Sequence, residues 1–295
     1  FIKQDIQRSL DLFNGNENFY RDNVYWSKRA TLILKGDVFL WSGKVLGGGT
    51  ADFTEAKNAL SQVSGSLVAY DKLWGIDNEK NAEFIFALDY KKDEAEHFYK
   101  VTTARNTDVK DMYDDSGRKI SSFLYVEGGN YHSPSEKTLR LLDDIKDQRR
   151  ATFVRVYSDN AGHIPFNTTN YLGSILSKFV GKNNSGDIVN ENNVPIYRYA
   201  DVLLLLAEAK NNLGEDPSAE INQVRARAYG SNYNAATYGY TNSTKAINAK
   251  AILDERYKEF IGEGKRWWDL LRAGDNFVYD EVASMTSNGT KKNIY

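Results

Sequence analysis

The chain has 295 residues, of which 41% are apolar and 26% are charged, the balance of an ordinary globular protein. Its 38 basic and 40 acidic side chains give a net charge of -2, which argues against a nucleic-acid-binding protein because such proteins carry a basic surplus. The absence of cysteine excludes disulfides, thiolate metal sites and cysteine nucleophiles. No apolar stretch approaches the roughly 20 residues of a membrane helix. We therefore expect any membrane attachment to depend on residues outside this sequence.

The first clear pattern is a helix followed by a glycine-rich turn and a second helix. Apolar residues recur every three or four positions from Ala30 to Val45, the spacing of one helix face. Gly47–Gly49 end this helix, and a second helix is expected from Asp52 or Thr54 to Val63. Segment 1–65 is therefore predicted to contain a tetratricopeptide-like hairpin.

Segment 66–195 has a different composition, rich in aromatic, Asn, Asp and Gly residues. Glu83–Tyr90 and Thr152–Tyr157 are candidate strands, and 136–150 is a candidate helix. Residues 91–135 and 158–195 show no regular pattern. Because loops of this length in a compact domain are usually functional, we predict a loop-rich ligand-binding region with minor β structure.

Segment 196–272 is predicted to be helical again. The run IYRYADVLLLLAEAKNNLG places apolar residues on one stripe and ends at Gly214. Asp216 and Pro217 suit the start of the next helix. A further helix is expected over 249–262, and a short tryptophan-rich one ends near Arg272. The whole chain, 1–295, is thus predicted to be one mostly α-helical domain.

Two C-terminal blocks resemble the signature of the SusD/RagB family of nutrient-binding lipoproteins. The first is YRYADVLLLLAEAKNNLG followed by INQVRARA, and the second is ILDERYKEFIGEGKRWWDLLR. Tyr229 stands where family members more often have glycine. The residues of the second block that match the family pattern are Glu255, Arg256, Glu259, Glu263, Gly264, Arg266, Trp267, Asp269, Leu270 and Arg272.

This resemblance implies a SusD-like fold and non-catalytic binding of an oligosaccharide or other nutrient. It also implies an extracellular position at the outer membrane of a Gram-negative bacterium, and delivery to a SusC-like TonB-dependent channel. The family's lipoprotein signal, acylated cysteine and first helical region are absent here. We therefore expect the chain to be the C-terminal part of a longer protein, held at the membrane by a lipid anchor that this sequence does not contain.

Aromatic residues in and beside the irregular region are the candidates for ligand contact. An aromatic ring offers a rigid apolar plate to the C–H face of a sugar, and neighbouring polar side chains can bind the hydroxyl groups. The alternative is that each ring packs against its own loop. The candidate ligand-binding residues are Trp74, Tyr90, Tyr99, Arg105, Asn106, Tyr113, Tyr125 and Tyr131.

Charged residues of the helical blocks allow two interpretations. Glu255, Glu259 and Glu263 recur every four residues, so they lie on one face of a helix, where pairing with arginine would form a structural ion network. The same structural role is predicted for Arg198, Asp201, Glu208, Arg225 and Arg227. A helical-repeat protein-interaction adaptor is the first alternative function, and a glycoside hydrolase with a carboxylate pair is the second.

Metal or cofactor binding has little support in the sequence. The three histidines do not form a zinc motif. Asp111, Asp114, Asp115 and Gly117 form an oxygen-rich loop that could suit calcium, although the spacing is not that of an EF-hand. No cofactor is expected, with calcium at this loop as the alternative. Trp267 and Trp268 are expected to pack in the core or between helices.

Overall fold

A computed structural model of the protein describes residues 1–95, 99, 102, 104–129, 132–184 and 187–281. The predicted fold class, mostly α-helical with minor β structure, is confirmed. The helices are α1 Ile2–Phe13, α2 Lys28–Val45, α3 Gly49–Leu60, α4 Asn106–Val109, α5 Glu136–Leu141, α6 Tyr199–Leu213, α7 Ser218–Tyr229, α8 Ala235–Tyr238, α9 Lys245–Phe260, α10 Arg266–Ala273 and α11 Asp275–Glu281.

The strands form three small antiparallel sheets. One sheet pairs β1 with β7, another has the order β2-β3-β4, and a third pairs β5 with β6. The strands are β1 Phe84–Leu88, β2 Tyr113–Asp114, β3 Phe153–Tyr157, β4 Tyr171–Leu176, β5 Lys182–Asn184, β6 Asp187–Val189 and β7 Val194–Arg198.

The helices α2 and α3 form a tight pair because glycine lies at their contact. A Cβ atom added to Gly36 would come within 2.5 Å of Leu60 Cγ, and one added to Gly43 within 2.6 Å of Phe53 Cε1. The turn between the helices uses Gly47 and Gly49, which both have positive φ. The main hydrophobic core lies where this pair meets α6, with Leu40, Leu60 and Val202 buried.

A second helix pair, α6 and α7, packs beside α9, and α10 returns to contact α2 and α9. We call these helices, together with α1, α2 and α3, the scaffold. The strand pair β1 and β7 joins the scaffold to segment 66–195, since β7 runs directly into α6. Segment 66–195, called here the loop region, carries its own small cores. The boundary at residue 65 stays a prediction.

Several elements differ from the sequence predictions. Helix α6 begins at Tyr199 because Val194–Arg198 pairs with β1 as a strand. The helix predicted over 136–150 ends at Leu141, and Ile145 is 66% exposed. Segment 158–195, predicted to be irregular, contains β4, β5, β6 and the start of β7. Segment 91–135, also predicted to be irregular, contains α4 and β2, and the sequence predicts no element at α1, α8 or α11.

Candidate functional site

A buried network of ion pairs connects the loop region to the scaffold. Arg198, at the end of β7, donates from Nη1 to Glu83 Oε1 and to Glu259 Oε1, each at 2.6 Å, and from Nε to Glu263 Oε2 at 2.9 Å. The side chains of all four residues have no exposed surface. Charges buried to this degree are found paired, because an unpaired one is very costly. We call this set, together with the partners described next, the anchoring network.

Two cations of the loop region complete the anchoring network. Lys178 Nζ donates to Glu263 Oε1 at 2.8 Å and to the Glu259 carbonyl at 2.9 Å. Arg149 Nη1 donates to Glu255 Oε1 at 2.6 Å. Scaffold arginines Arg225 and Arg227 bind Glu255 and Glu259 from α7. The loop region is therefore held on α9 by charges that lie far apart in the sequence.

The protonation of this network follows from two opposing effects. Burial alone would raise the pKa of Glu259, but the charges of Arg227, Arg198 and Arg149 outweigh it and hold that pKa far below its ordinary value. The pKa of Glu263 is likewise lowered, because Arg198 and Lys178 outweigh the effect of burial. Both carboxylates are buried and paired with cations. The predicted structural role is confirmed for them, and the hydrolase alternative is wrong for this pair, since it needs carboxyl groups in an open cleft.

The structural role predicted for the other charges is also confirmed. Asp201 lies 3.3 Å from Lys265, measured from Oδ1 to Nζ. Glu208 receives two hydrogen bonds from Arg272, at 2.9 and 3.0 Å. These pairs fasten the scaffold helices to one another.

Three predicted ligand-contact residues lie around Phe179. Trp74 meets Phe179 edge-on, with centroids 5.5 Å apart, and Tyr99 stacks on Phe179 at 4.0 Å and 23°. The ring of Phe84 lies 6.1 Å from that of Trp74. Tyr99 Oη donates to the Gly262 carbonyl at 2.5 Å, and burial raises the pKa of Tyr99 to about 12. Tyr90 lies near enough to Tyr99 to add to that shift. We call Trp74, Phe84, Tyr90, Tyr99 and Phe179 the aromatic cluster.

Two cations of the anchoring network lie against the Trp74 ring of this cluster. Lys178 Nζ is 4.5 Å from the centroid of a Trp74 ring, and the guanidinium carbon of Arg198 is 5.6 Å away. Such contacts strengthen when they are removed from water. The consecutive residues Lys178 and Phe179 thus serve two neighbouring structures, the ion network and the cluster.

The aromatic cluster has a polar edge formed by Glu79, Asn192 and Asn193. Together with Trp74 these residues surround a cavity of about 10 Å³, roughly the space of one water molecule. The backbone N–H of Asn193 donates to Glu79 Oε1 at 2.6 Å, and the side-chain oxygen Asn193 Oδ1 accepts from the backbone N–H of Tyr90 at 2.9 Å. Burial, with the charges of Asp89, Glu191 and Asp77, raises the pKa of Glu79 to about 7.

Sequence reasoning missed Glu79, Lys178, Phe179, Asn192 and Asn193. The sequence around these residues has no apolar periodicity, so it does not indicate which of them lie on the same face of an element. Their places became apparent only with the strand Val194–Arg198, which directly follows Asn192 and Asn193 and which the sequence pattern assigns in part to a helix.

The other candidate residues gather around a second small core of the loop region. Arg105, which is exposed, and Asn106 lie at the start of α4, where Arg105 forms an isolated bridge with Glu127. Tyr113, in β2, lies opposite Tyr157. Tyr125 is half-buried and precedes the buried Val126. Tyr131 lies outside the described residues. A ligand role for each of these residues stays a prediction.

The oxygen-rich loop at 111–117 has its carboxylates engaged by donors. Asp114 Oδ1 accepts from the Ser116 and Arg118 amides, and Asp115 pairs with Arg150 at 2.6 Å. Asp111 pairs with Lys119 at 3.0 Å. These contacts use the oxygens that the calcium prediction assigned to an ion. Among the described residues there is no group of three or more His, Cys, Asp or Glu placed to hold a metal.

Of the two positions predicted for the tryptophans of α10, contact between helices is found and burial in the core is not. Trp268 packs against Trp41 of α2, with centroids 6.2 Å apart, so contact between helices is confirmed. A core position is wrong, because Trp267 is 39% and Trp268 58% exposed.

Comparison with known proteins shows where else this architecture is found. The SusD family model matches residues 51–295. The chain belongs to the SusD family. The structure of NanU from B. fragilis is similar over 99% of this chain and 67% of its own length, with 33% identity and a TM-score of 0.85. A SusD superfamily protein from Bacteroides vulgatus matches over 98% of this chain and 69% of its own, with 32% identity and a TM-score of 0.83.

Curated SusD-family relatives are longer than this chain. SusD-like protein P25 of Formosa agariphila is 28% identical in an alignment of 245 positions, gaps included, that covers 76% of this chain and 46% of P25. The starch-binding protein SusD of Bacteroides thetaiotaomicron is 31% identical over 84 residues, 28% of this chain and 13% of that protein. The chain thus spans about half the length of P25. Among its described helices, none has the length and apolar character needed to cross a bilayer.

Proposed function

We propose that this chain is the C-terminal part of a non-catalytic protein that binds a glycan or similar nutrient at the outer-membrane surface. The bound molecule is delivered to a SusC-like TonB-dependent channel, and a lipid anchor outside this chain holds the protein at the membrane. The observation that carries this proposal is the SusD-family match over residues 51–295. The starch-binding role of one relative supports a saccharide as the ligand class.

The aromatic cluster and its polar edge supply suitable chemistry for such a ligand. Trp74 and Tyr90 are half-buried, so each keeps part of its surface open beside Glu79 and Asn193. Aromatic rings bury large area with few torsions to restrict, and neighbouring carboxylate and amide groups exchange hydrogen bonds with hydroxyls. The anchoring network holds this surface against α9. We therefore place the principal ligand surface in the loop region, around Trp74 and Tyr90.

Calorimetry against a panel of polysaccharides and oligosaccharides tests the proposal. We expect at least one glycan to bind the wild-type chain. Changing Trp74 to Ala is expected to lower its affinity about 10-fold, in line with the loss of one aromatic contact and its buried area. Tyr113→Ala tests the second group of candidates in the same way. Tyr20→Ala is the matched control, because Tyr20 lies in the α1–α2 connection and is 73% exposed.

Circular dichroism of each variant separates lost binding from lost structure. A chain that binds none of the glycans but retains a protein partner would replace the proposal with the adaptor function. A glycan whose affinity is unchanged in both Trp74→Ala and Tyr113→Ala would keep the function and remove the proposed surface.

A further inference from the structure

The polar edge of the aromatic cluster is bordered by acidic side chains. Segment 75–94 contains six acidic and three basic residues, and segment 187–193 contains two acidic and no basic ones. Glu79 is half-buried beside Trp74. The half-buried Glu191 accepts a hydrogen bond at 3.1 Å from the backbone N–H of Lys92, two residues beyond Tyr90. A ligand that contacts Trp74 and Tyr90 therefore lies beside both carboxylates.

Most cations of this edge are already paired with other carboxylates. The ion pairs, each measured between nitrogen and oxygen, are Lys80–Asp22 at 3.1 Å, Lys91–Asp89 at 2.7 Å and Lys182–Asp77 at 3.7 Å. Glu79 and Glu191 instead accept hydrogen bonds from backbone N–H groups, and neither forms an ion pair in the described part of the chain. Lys92 is the remaining cation, and its single charge balances at most one of the two.

The cations behind the aromatic cluster do not offset these carboxylates. Lys178 and Arg198 lie against Trp74, but they belong to the anchoring network. Counted with Asp147, which pairs with Arg149 at 2.8 Å, this network has five cations and five carboxylates. The cations are Arg149, Lys178, Arg198, Arg225 and Arg227, and the carboxylates are Glu83, Asp147, Glu255, Glu259 and Glu263. The network is thus neutral as a whole, and the polar edge keeps its negative charge.

The pKa of Glu79 reports the sign of the electrostatic potential at this edge. Burial, together with the charges of Asp89, Glu191 and Asp77, raises that pKa to about 7. All three of these neighbours are carboxylates, so the potential at Glu79 is negative. A further negative charge that a ligand brings to this edge meets the same repulsion.

We propose that the ligand surface around Trp74 and Tyr90 selects glycans without acid groups, and that Glu79 and Glu191 are its specificity-determining residues. Uncharged sugars donate hydrogen bonds from their hydroxyls to the two carboxylates, whereas uronates and sulfated sugars are repelled. This inference rests on the proposed function, because it assigns the ligand class of the same surface.

The test compares two forms of one oligosaccharide that differ only in charge. Maltohexaose is oxidised at its C6 hydroxyls to the carboxylate, and part of the product is converted to the uncharged carboxamide, which has nearly the same shape. Calorimetry at pH 8 and low salt measures both forms against the whole chain. We expect the carboxylate form to bind more weakly by about 10-fold or more, and the difference to shrink in about 0.5 M salt.

Every uncharged glycan that binds in the polysaccharide panel is converted and compared in the same way. The measured quantity is the ratio of the Kd of the carboxylate form to that of the carboxamide form. It isolates charge, because both forms lack the same hydroxyl.

Glu79→Gln and Glu191→Gln each remove one charge and keep a side chain of the same shape. Each variant should lower the Kd ratio about 2- to 5-fold and change the binding of the carboxamide form little. Asp5→Asn is the matched control, since it removes an exposed carboxylate from α1 in the scaffold and should leave the ratio unchanged. Circular dichroism checks the fold of each variant.

A comparison of two pH values adds a readout that a merely structural role of Glu79 would not move. The carboxylates of the ligand stay ionised at pH 5, whereas Glu79, with its pKa of about 7, is then mostly protonated. The Kd ratio of the wild-type chain should therefore be smaller at pH 5 than at pH 8. In Glu79→Gln this pH difference should largely disappear.

The outcomes separate the ligand class from the function. Equal binding of the two forms at pH 8, tighter binding of the carboxylate form, or a ratio that neither Glu79→Gln nor Glu191→Gln lowers overturns this inference and leaves the proposed function in place. Binding of anionic glycans alone has the same meaning. If no glycan binds in any form, the proposed function itself fails, and the assigned ligand class fails with it.

Discussion

The buried contact between the loop region and α9 and the exposed turn at 114–118 pair their charges over different distances along the chain. Arg198 binds Glu83 and Glu259, which are 115 and 61 positions away, and is fully buried. In the loop region Arg118 binds Asp114, four positions away, and its side chain is 56% exposed. Long-range buried pairs form only when the whole fold is in place, whereas a local pair needs only its own turn.

These two kinds of contact differ in how far they depend on the rest of the chain. The turn at 114–118 has local support, since Asp114 accepts hydrogen bonds from the Ser116 and Arg118 amides, and its contact with a distant segment is the pair of Asp115 with Arg150. The anchoring network cannot lose a member without leaving an uncompensated buried charge. A family that keeps one scaffold and presents different ligands would gain from this arrangement, because changes in the loops leave the network intact.

The largest expected effect is that of removing the central arginine. Arg198→Ala leaves Glu83, Glu259 and Glu263 without a shared cation, and breaking a buried pair costs about 3–5 kcal/mol. We expect the free energy of unfolding, measured with urea, to fall by that amount. A loss below about 1 kcal/mol would show that the network does not hold the two regions together.

Lowering the pH is expected to weaken the same network. The pKa values of Glu255, Glu259 and Glu263 are lowered in the folded chain because neighbouring cations outweigh burial. A lowered pKa contributes stability that is present above the ordinary value of 4.5 and is lost as the pH falls through the folded value. The free energy of unfolding should therefore decrease continuously below about pH 4.5. A flat profile down to about pH 3 would contradict these pairings.

The raised pKa of Glu79, at the polar edge of the aromatic cluster, predicts the opposite dependence of stability on pH. Its pKa rises from 4.5 to about 7, chiefly through burial, so the folded chain binds more protons than the unfolded chain between these values. The contribution of Glu79 to the free energy of unfolding should therefore fall as the pH rises from about 4.5 to about 7.

Urea unfolding of Glu79→Gln at pH 5 and pH 8 measures this contribution. The variant should lose that part of the pH dependence and be the more stable chain at pH 8. Asp77→Asn should shift the step to lower pH, because the charge of Asp77 helps to raise the pKa of Glu79. An unchanged step in Asp77→Asn would contradict the electrostatic part of the argument.

A smaller effect is expected at the hydrogen bond that the Tyr99 hydroxyl donates to the Gly262 carbonyl, just beyond the end of α9. Tyr99→Phe keeps the stack on Phe179 but removes the hydrogen bond to the Gly262 carbonyl. The cost should be about 0.5–1.5 kcal/mol in urea unfolding. A larger loss would mean that Tyr99 supports more of the contact than its hydroxyl alone.

The smallest effect is expected for the local pair. Arg118→Ala should change the free energy of unfolding by less than about 1 kcal/mol, since exposed ion pairs contribute little. The same denaturation assay used for Arg198→Ala gives the direct comparison. Equal losses in the two variants would remove the distinction between the regions.

Local patterns in the sequence were enough to predict the helix pairs and the structural role of the three glutamates. Apolar residues spaced by three and four identified α2 and α6, and Gly47 and Gly214 marked their ends. The four-residue spacing of Glu255, Glu259 and Glu263 was enough to predict a structural network, although Glu263 follows the end of α9 at Phe260. These signals are local, because one helix repeats within four residues.

The partners of those charges and the surfaces beside them could be identified only in the folded chain, because distant segments form them. Lys178 and Phe179 lie in a polar stretch without periodicity, so their contacts with Glu263 and Trp74 could not be predicted. Residues 194–198 continue the apolar pattern of α6 but pair with β1 as a strand. Trp268 belongs to a helical motif yet is 58% exposed. Each of these positions depends on residues far away in the chain, whose approach no local pattern contains.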